Sequence, residues 1–183
     1  MKSLWLMVGL LLCAPALFAG GKQEDDRAGL LAATVTAIDL EIASTKAKLD
    51  TAQAGTGPAE NVEKLTRQLA DLQAERAKFE AMTPQEYPEP VAEAALEAPI
   101  GPMLPPVLAE AVITVGEKLS DGSLLDVQGA SRSGPFYHLA GIKGGDYGVL
   151  KQGRTYKVRL ALVYRREYFA FIGDYYAYIL SVE

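Results

Sequence analysis

His138 is the single histidine of the chain and the first candidate for acid–base or metal chemistry. It lies close to Ser131 and Ser133, so the three residues resemble the parts of a hydrolase triad. However, the nucleophile-elbow pattern is absent, and triads are defined by geometry rather than by proximity in sequence. Zinc and copper sites usually recruit several His or Cys ligands. We therefore expect no metal site, no cofactor and no enzymatic activity.

Two further patterns could do chemistry but lack the spacing that chemistry requires. The glycine-rich run 141–148 resembles a phosphate-binding loop, yet it has neither the Walker spacing nor a following helix. Five carboxylates could include a glycosidase-like pair, but most fall in predicted turns, where Asp is common for local reasons. They are Asp121, Asp126, Asp146, Glu167 and Asp174.

Tyrosines interleaved with cations give the strongest indication of binding. Of the nine tyrosines, all but Tyr87 lie within 107–183, together with several Arg and Lys residues. Such a face could stack sugars or bases, whereas Tyr also fills strands because of its high β-propensity. Acidic and basic residues balance in this region, which disfavours nucleic acid and leaves a glycan or peptide as the possible ligand. The candidate ligand-binding residues are Tyr156, Arg159, Tyr164, Tyr176 and Tyr178.

The elements that would position these side chains are β-strands. The run 155–164 alternates Tyr156, Val158, Leu160, Leu162 and Tyr164 against the residues between them. Asp121-Gly122 and Gly173-Asp174 are hairpin signals. Five or six short strands with glycine-rich turns predict a small all-β domain over 107–183. An oligonucleotide/oligosaccharide-binding (OB) barrel is favoured, and a β-sandwich is the alternative.

Two amphipathic helices are predicted before this domain, within 20–82. Apolar residues follow heptad steps in two blocks, and the register breaks at the loop around Gly55 to Pro58. Folding back about this loop predicts an antiparallel, coiled-coil-like helical hairpin. The two predicted seams are Leu31, Val35, Ile38, Ile42, Thr45 and Leu49, and Val62, Leu65, Leu69, Leu72, Arg76 and Phe79. The Arg76 head is expected to reach water or Glu80 one turn on.

A second stripe of small residues runs beside each seam. It indicates either high helix propensity or close packing against another hairpin or a partner. The candidate interaction residues are Leu30, Ala33, Ala37, Leu40, Ala70, Ala74 and Ala77.

Residues 83–106 contain seven prolines and several glutamates, and no basic residue. Proline density of this kind predicts an extended, acidic linker between the helices and the β domain.

The N-terminus predicts export. Residues 1–19 combine one lysine, an apolar run and a small-residue end, as a signal peptide does, and Pro15 argues against a spanning helix. The alternative is a lipoprotein attached to the membrane at Cys13, although Leu12 is large for such a site. Cleavage after Ala19 would remove the single cysteine, which suits the bacterial periplasm or cell envelope.

The sequence therefore predicts an α+β protein that acts as an exported, non-catalytic envelope scaffold or interaction module. Its expected partner is an envelope protein or a second copy, bound through the helical hairpin. The alternative is an OB-like module that binds a glycan or peptide through its Tyr/Arg face.

Overall fold

The computed structural model describes the backbone of residues 20–55, 59–92, 101–118, 124–125, 127–131, 136–139, 150–169 and 172–183. Side-chain surroundings are described within 26–55, 61–92, 101–116, 150–165 and 175–183. Two helices precede a mixed β-sheet, so the chain belongs to the α+β class, as predicted. The predicted signal peptide 1–19, with Cys13, and the glycine-rich run 141–148 lie outside the described residues.

Helix α1 covers Gly20–Ala54 and helix α2 covers Ala59–Glu80. Predicted seam residues of both helices are buried in one core, among them Leu31 and Ile38 of α1 with Leu72 and Phe79 of α2. Arg76 donates hydrogen bonds to Asp39 of α1 and to Glu80 one turn on, at 2.6 Å for Glu80. This ion pair raises the pKa of Arg76, chiefly through the hydrogen bond with Asp39. The predicted contact with Glu80 is present.

The strands follow the helices in chain order. Their bounds are β1 Val91–Ala92, β2 Gly101–Thr114, β3 Glu117–Lys118, β4 Leu124–Leu125, β5 Val127–Ser131, β6 Phe136–Leu139, β7 Thr155–Phe169 and β8 Ile172–Val182. β3 and β4 form a separate two-stranded antiparallel pair.

The order of pairing in the main sheet is β1, β2, β5, β6, β8, β7, and β7 pairs back with β2. The pairings of β2 with β5, β5 with β6, β8 with β7 and β7 with β2 are antiparallel. β6 and β8 run parallel. β1 adds to β2 in parallel through two residue pairs, Val91 with Val107 and Ala92 with Leu108.

Strand β2 begins at Gly101, ahead of the predicted start of the β domain at Val107. It therefore contains three prolines, which lack the N–H group that a sheet ladder needs. The ladder with β7 is interrupted between Pro102 and Val107, the interval that holds Pro105 and Pro106. The missing donors of Pro105 and Pro106 therefore fall where the β2–β7 ladder is not formed, while Pro102 pairs with Tyr164 at the edge of this interval.

Two cores lie on opposite faces of the sheet. The inner core is formed by residues of β2, β7 and β8 together with Val115 and Leu150. The helix–sheet core lies between α1 and the outer face of the same strands. The inner core comprises Met103, Val107, Ala109, Ala111, Ile113, Val115, Leu150, Val158, Leu160, Leu162, Tyr175, Ala177 and Ile179. The helix–sheet core comprises Leu30, Leu31, Ala33, Ala37, Ile38, Leu72, Phe79, Tyr87, Ala161, Val163, Tyr164 and Tyr176.

A bulge divides the predicted alternation of β7 between these two cores. Leu160 and Leu162 belong to the inner core, but Val163 and Tyr164 both belong to the helix–sheet core. The register with β8 shifts between Leu162 and Tyr164, and such a shift adds a residue that rotates the following side chains to the other face. Tyr164 therefore lies on the face opposite to Tyr156, whereas the alternation predicts the same face.

Helix α1 approaches the sheet closely because its sheet-facing residues are small. A Cβ atom on Gly29 would lie 2.5 Å from the hydroxyl oxygen of Tyr178 and 2.6 Å from its Cζ. Ala33 and Ala37 follow at four-residue steps on the same side and are 5% and 0% exposed. Glycine costs about 1 kcal/mol in a helix interior relative to alanine, so its presence here reflects the space that Tyr178 occupies.

The apolar character of α1 is also that of a helix long enough to cross a membrane. The segment Asp26–Ala54 has a mean hydropathy of 1.3 in its most apolar window, which is compatible with a signal sequence or a membrane anchor near the N-terminus. Within this segment Leu30, Ala33 and Ala37 are buried in the helix–sheet core. Its apolar residues thus also serve the packing of the sheet.

We expect Gly29→Ala to lower the free energy of unfolding by about 1–2 kcal/mol, although alanine is the better helix former. The cause is overlap of the new methyl group with the ring of Tyr178. Urea unfolding of the single variants and of Gly29→Ala with Tyr178→Ala provides the measurement. In the Tyr178→Ala background, the Gly29 substitution should become neutral or stabilising.

Thr36→Ala, at an exposed position of α1, is the control and should change stability by less than about 0.5 kcal/mol. An equal loss from Gly29→Ala in both Tyr178 backgrounds would contradict the packing argument.

Candidate functional site

The buried polar residues of the described side chains all belong to α1. Thr34, Glu41 and Thr45 are 0%, 4% and 2% exposed. Burial of a carboxylate destabilises the folded state unless the carboxylate accepts hydrogen bonds, so Glu41 needs polar partners. We call the contact surface between α1 and the sheet the helix–sheet seam. Its part around Glu41 is the candidate functional site.

Glu41 meets Tyr176 of β8, which packs against Tyr164 of β7. The Tyr176 hydroxyl donates a hydrogen bond of 2.7 Å to Glu41 Oε1, and Tyr176 is itself 2% exposed. The ring of Tyr164 packs edge-on against that of Tyr176, with centroids 5.5 Å apart and an interplanar angle of 80°. Edge-to-face contact of this kind is favourable because the positive edge of one ring meets the negative face of the other. The result is a polar cluster shielded from solvent by α1.

The structure does not gather the predicted ligand-binding residues on one open face. Tyr164 and Tyr176 are buried beneath α1, and Tyr178 is half-buried against Gly29. Tyr156 packs against the inner core, and its hydroxyl accepts a hydrogen bond of 3.1 Å from the Lys151 backbone N–H. Arg159 is exposed and lies opposite Glu110 of β2 and Ser181 of β8 in the ladders.

The predicted interaction stripe divides in the same way. On α1, Leu30, Ala33 and Ala37 are buried in the helix–sheet core, while Leu40 is 44% exposed. On α2, the stripe faces solvent. Its exposed members are Ala70, Ala74 and Ala77. Three residues of the α1 stripe are therefore buried within the chain, and Leu40 and the α2 stripe remain accessible.

Residues 83–92, the connecting segment, lie within the range predicted to be an extended linker, and they pack against α1. The first turn of this segment is stabilised by a capping interaction between Thr83 and Glu86. The high proline content of the sequence predicts an extended linker instead. Both the backbone N–H and the hydroxyl of Thr83 donate to Glu86 Oε2 at 2.8 Å. These bonds, the backbone one first, hold the pKa of Glu86 below its ordinary value. The signal in sequence is Thr83-Pro84-Gln85-Glu86, the spacing of a capping box with proline at the first position.

Three contacts attach the connecting segment to α1. Arg27 forms an ion pair with Glu89 and donates a hydrogen bond of 3.3 Å to the Gln85 carbonyl. Tyr87 is fully buried, and its hydroxyl lies 2.6 Å from Thr34 Oγ1. Because the Thr34 hydroxyl donates to the Leu30 carbonyl at 3.0 Å, Tyr87 must be the donor to Thr34. Burial raises the pKa of Tyr87 to about 12.

The residues considered for acid–base or metal chemistry lie on strands β5 to β8 where the structure describes them. Within the described ranges, no group of three His, Cys, Asp or Glu side chains gathers as a set of metal ligands. His138 lies on β6, opposite Gln128 of β5 and Asp174 of β8 in the ladders. Ser131 ends β5, whereas Ser133 lies outside the described residues. Of the five candidate carboxylates, Glu167 and Asp174 lie on β7 and β8, and the other three lie outside the described residues.

Comparison with known proteins gives no match to this chain among protein-family models, curated proteins or solved structures.

We expect the free energy of unfolding to fall as pH rises from about 10 to about 12 because of Tyr87. Its folded pKa of about 12 lies above the unfolded value near 10. The neutral phenol therefore contributes stability that is fully present below pH 10 and is lost as pH rises through the folded pKa. The difference between the two pKa values corresponds to roughly 2–3 kcal/mol.

Urea unfolding of the wild type and of Tyr87→Phe at pH 9 and pH 11.5 measures this contribution. Other titrating groups are common to both proteins, so the difference between them isolates Tyr87. The wild type should lose about 2 kcal/mol more than the variant between these two pH values. Parallel losses in the two proteins would show that Tyr87 ionises as freely in the folded state as in the unfolded state.

Proposed function

We propose that this protein is an exported, non-catalytic envelope protein that acts as a scaffold or interaction module. The observation that carries the proposal is the attachment of α1 to the sheet, which leaves the outer side of α2 exposed. Leu30, Ala33 and Ala37 are buried within the chain, whereas Ala70, Ala74 and Ala77 face solvent. The helical layer thus has one side fixed to the sheet and one side available to a partner. Export is supported by the signal-like pattern of residues 1–19.

The architecture that we propose for this module is an antiparallel helical hairpin docked on an OB-type barrel. Five strands, β2, β5, β6, β8 and β7, each pair with two of the others, and an OB barrel is a five-stranded Greek-key barrel of this kind. The predominantly apolar inner core supports the same proposal, because small barrels are filled by side chains. The ion pair of Arg76 with Asp39 supports the hairpin.

The alternative function is an OB-like module that binds a glycan or peptide through its Tyr/Arg face. Arg159 is exposed and favours it. However, Tyr164 and Tyr176 are covered by α1, so this function requires α1 to leave the sheet.

The scaffold proposal is tested by photo-cross-linking in the envelope with a reactive amino acid at Ala74. Val112, which is 47% exposed on the sheet, is the matched control position. We expect Ala74, but not Val112, to give a discrete cross-link to one partner or to a second copy.

The cross-link from Ala74 should be lost when Ala70→Glu and Ala77→Glu place charge on the same side of α2. These exposed positions should tolerate the substitutions with little change in stability, which urea unfolding checks. Equal cross-linking from Ala74 and Val112, or cross-linking that survives the glutamates, would count against the scaffold. A mature protein that is monomeric by light scattering would exclude the second copy as partner.

A further inference from the structure

We propose that α1, α2 and the connecting segment open from the sheet as one unit while the strands stay folded. Opening uncovers Tyr164, Tyr176 and Tyr178, so α1 acts as a removable cover over an aromatic face. This inference goes beyond the proposed scaffold function and does not depend on it.

The strands have a core of their own that does not involve the helices. Every residue of the inner core lies at or beyond Met103, and its largest members come from β2, β7 and β8. Ile113, Leu160 and Leu162 are 0% exposed on the face that points away from α1. Removal of the helices from the outer face therefore does not expose this apolar core to water.

The seam between α1 and the sheet is of a different kind. On the sheet side the seam buries Val163, Tyr164 and Tyr176. The side of α1 that meets them carries the small residues Gly29, Ala33 and Ala37, with Leu30 beside them. Hydrophobic stabilisation scales with the apolar area removed from water, so this side contributes less per turn than a stripe of Leu or Ile would.

The seam also contains a polar contact that water can replace. Tyr176 and Glu41 form a hydrogen bond in the closed state, and both groups are readily hydrated when exposed. Tyrosine enrichment and hydrogen bonding are typical of interfaces between partners that also exist apart. Small side chains on the helix side, together with a hydrogen bond that water can replace, favour local opening at this seam.

The helices and the connecting segment are joined to each other more firmly than to the strands. Arg27 contacts both Gln85 and Glu89, and Tyr87 is buried against Thr34. Arg76 links α2 to α1. By contrast, β1 is joined to β2 by two residue pairs. Separation at the β1–β2 pairing and at the seam therefore releases a single unit.

Native-state hydrogen exchange on the full chain, read by mass spectrometry at increasing sub-denaturing urea, tests the proposal. Amides of α1 and α2 should exchange through an opening that costs less free energy than the opening that exposes β2, β7 and β8. Helix amides and the amides of residues 83–92 should follow the same urea dependence, because they open together.

Two variants sharpen the test. Tyr176→Phe removes the hydrogen bond to Glu41 and should speed exchange of the helix amides on the order of tenfold, with little effect on strand amides. Arg27→Ala loosens the connecting segment, so the amides of residues 83–92 should then exchange at a different free energy from those of α1. This variant provides the test if Tyr176→Phe does not fold. Arg67→Ala, which removes an exposed ion pair within α2, is the control and should change neither class.

Exchange of helix and strand amides at one common free energy, with Tyr176→Phe accelerating both equally, would overturn the proposal. That result would show that the seam opens only when the whole protein unfolds. It would leave the scaffold proposal untouched, because a partner of α2 does not require opening.

Discussion

The distance between helix α1 and the sheet is the constraint on which the rest of the structure depends. Tyr178 fills the space where a side chain at position 29 would lie, so only glycine fits there without displacement. The small residues Ala33 and Ala37 continue this close approach, and Glu41 then reaches the hydroxyl of Tyr176. With α1 in this position, Tyr164 and Tyr176 are buried beneath the helix, and Leu30, Ala33 and Ala37 of the α1 stripe are buried within the chain.

Local sequence patterns predict much of the fold because their causes are local. Heptad spacing places Leu31, Ile38, Leu72 and Phe79 in a common core, and the register break near Pro58 separates two helices. Period-two alternation finds β7. The side that each residue of β7 faces is predicted only as far as Leu162, because the bulge depends on how β8 pairs with it.

The candidate site is less predictable, because its contacts join residues far apart in the chain. Glu41 and Tyr176 are separated by 135 positions, and no spacing rule connects them. The same is true of Gly29 and Tyr178. The capping pattern of Thr83 and Glu86 is local and readable, but proline density in 83–106 points to an extended linker instead. Pro84 is compatible with both interpretations, since the first position of a turn tolerates proline.

The turn at Thr83 has a consequence for how the chain tolerates changes in length. Tyr87 reaches Thr34 only because the turn fixes its distance from the end of α2, and Arg27 spans Gln85 and Glu89 at the same fixed spacing. The number of residues between Glu80 and Glu89 therefore determines which side chains reach Thr34 and Arg27. One added or deleted residue there would move Tyr87 away from Thr34. Length variation among natural variants of this protein should therefore avoid the segment between Glu80 and Glu89.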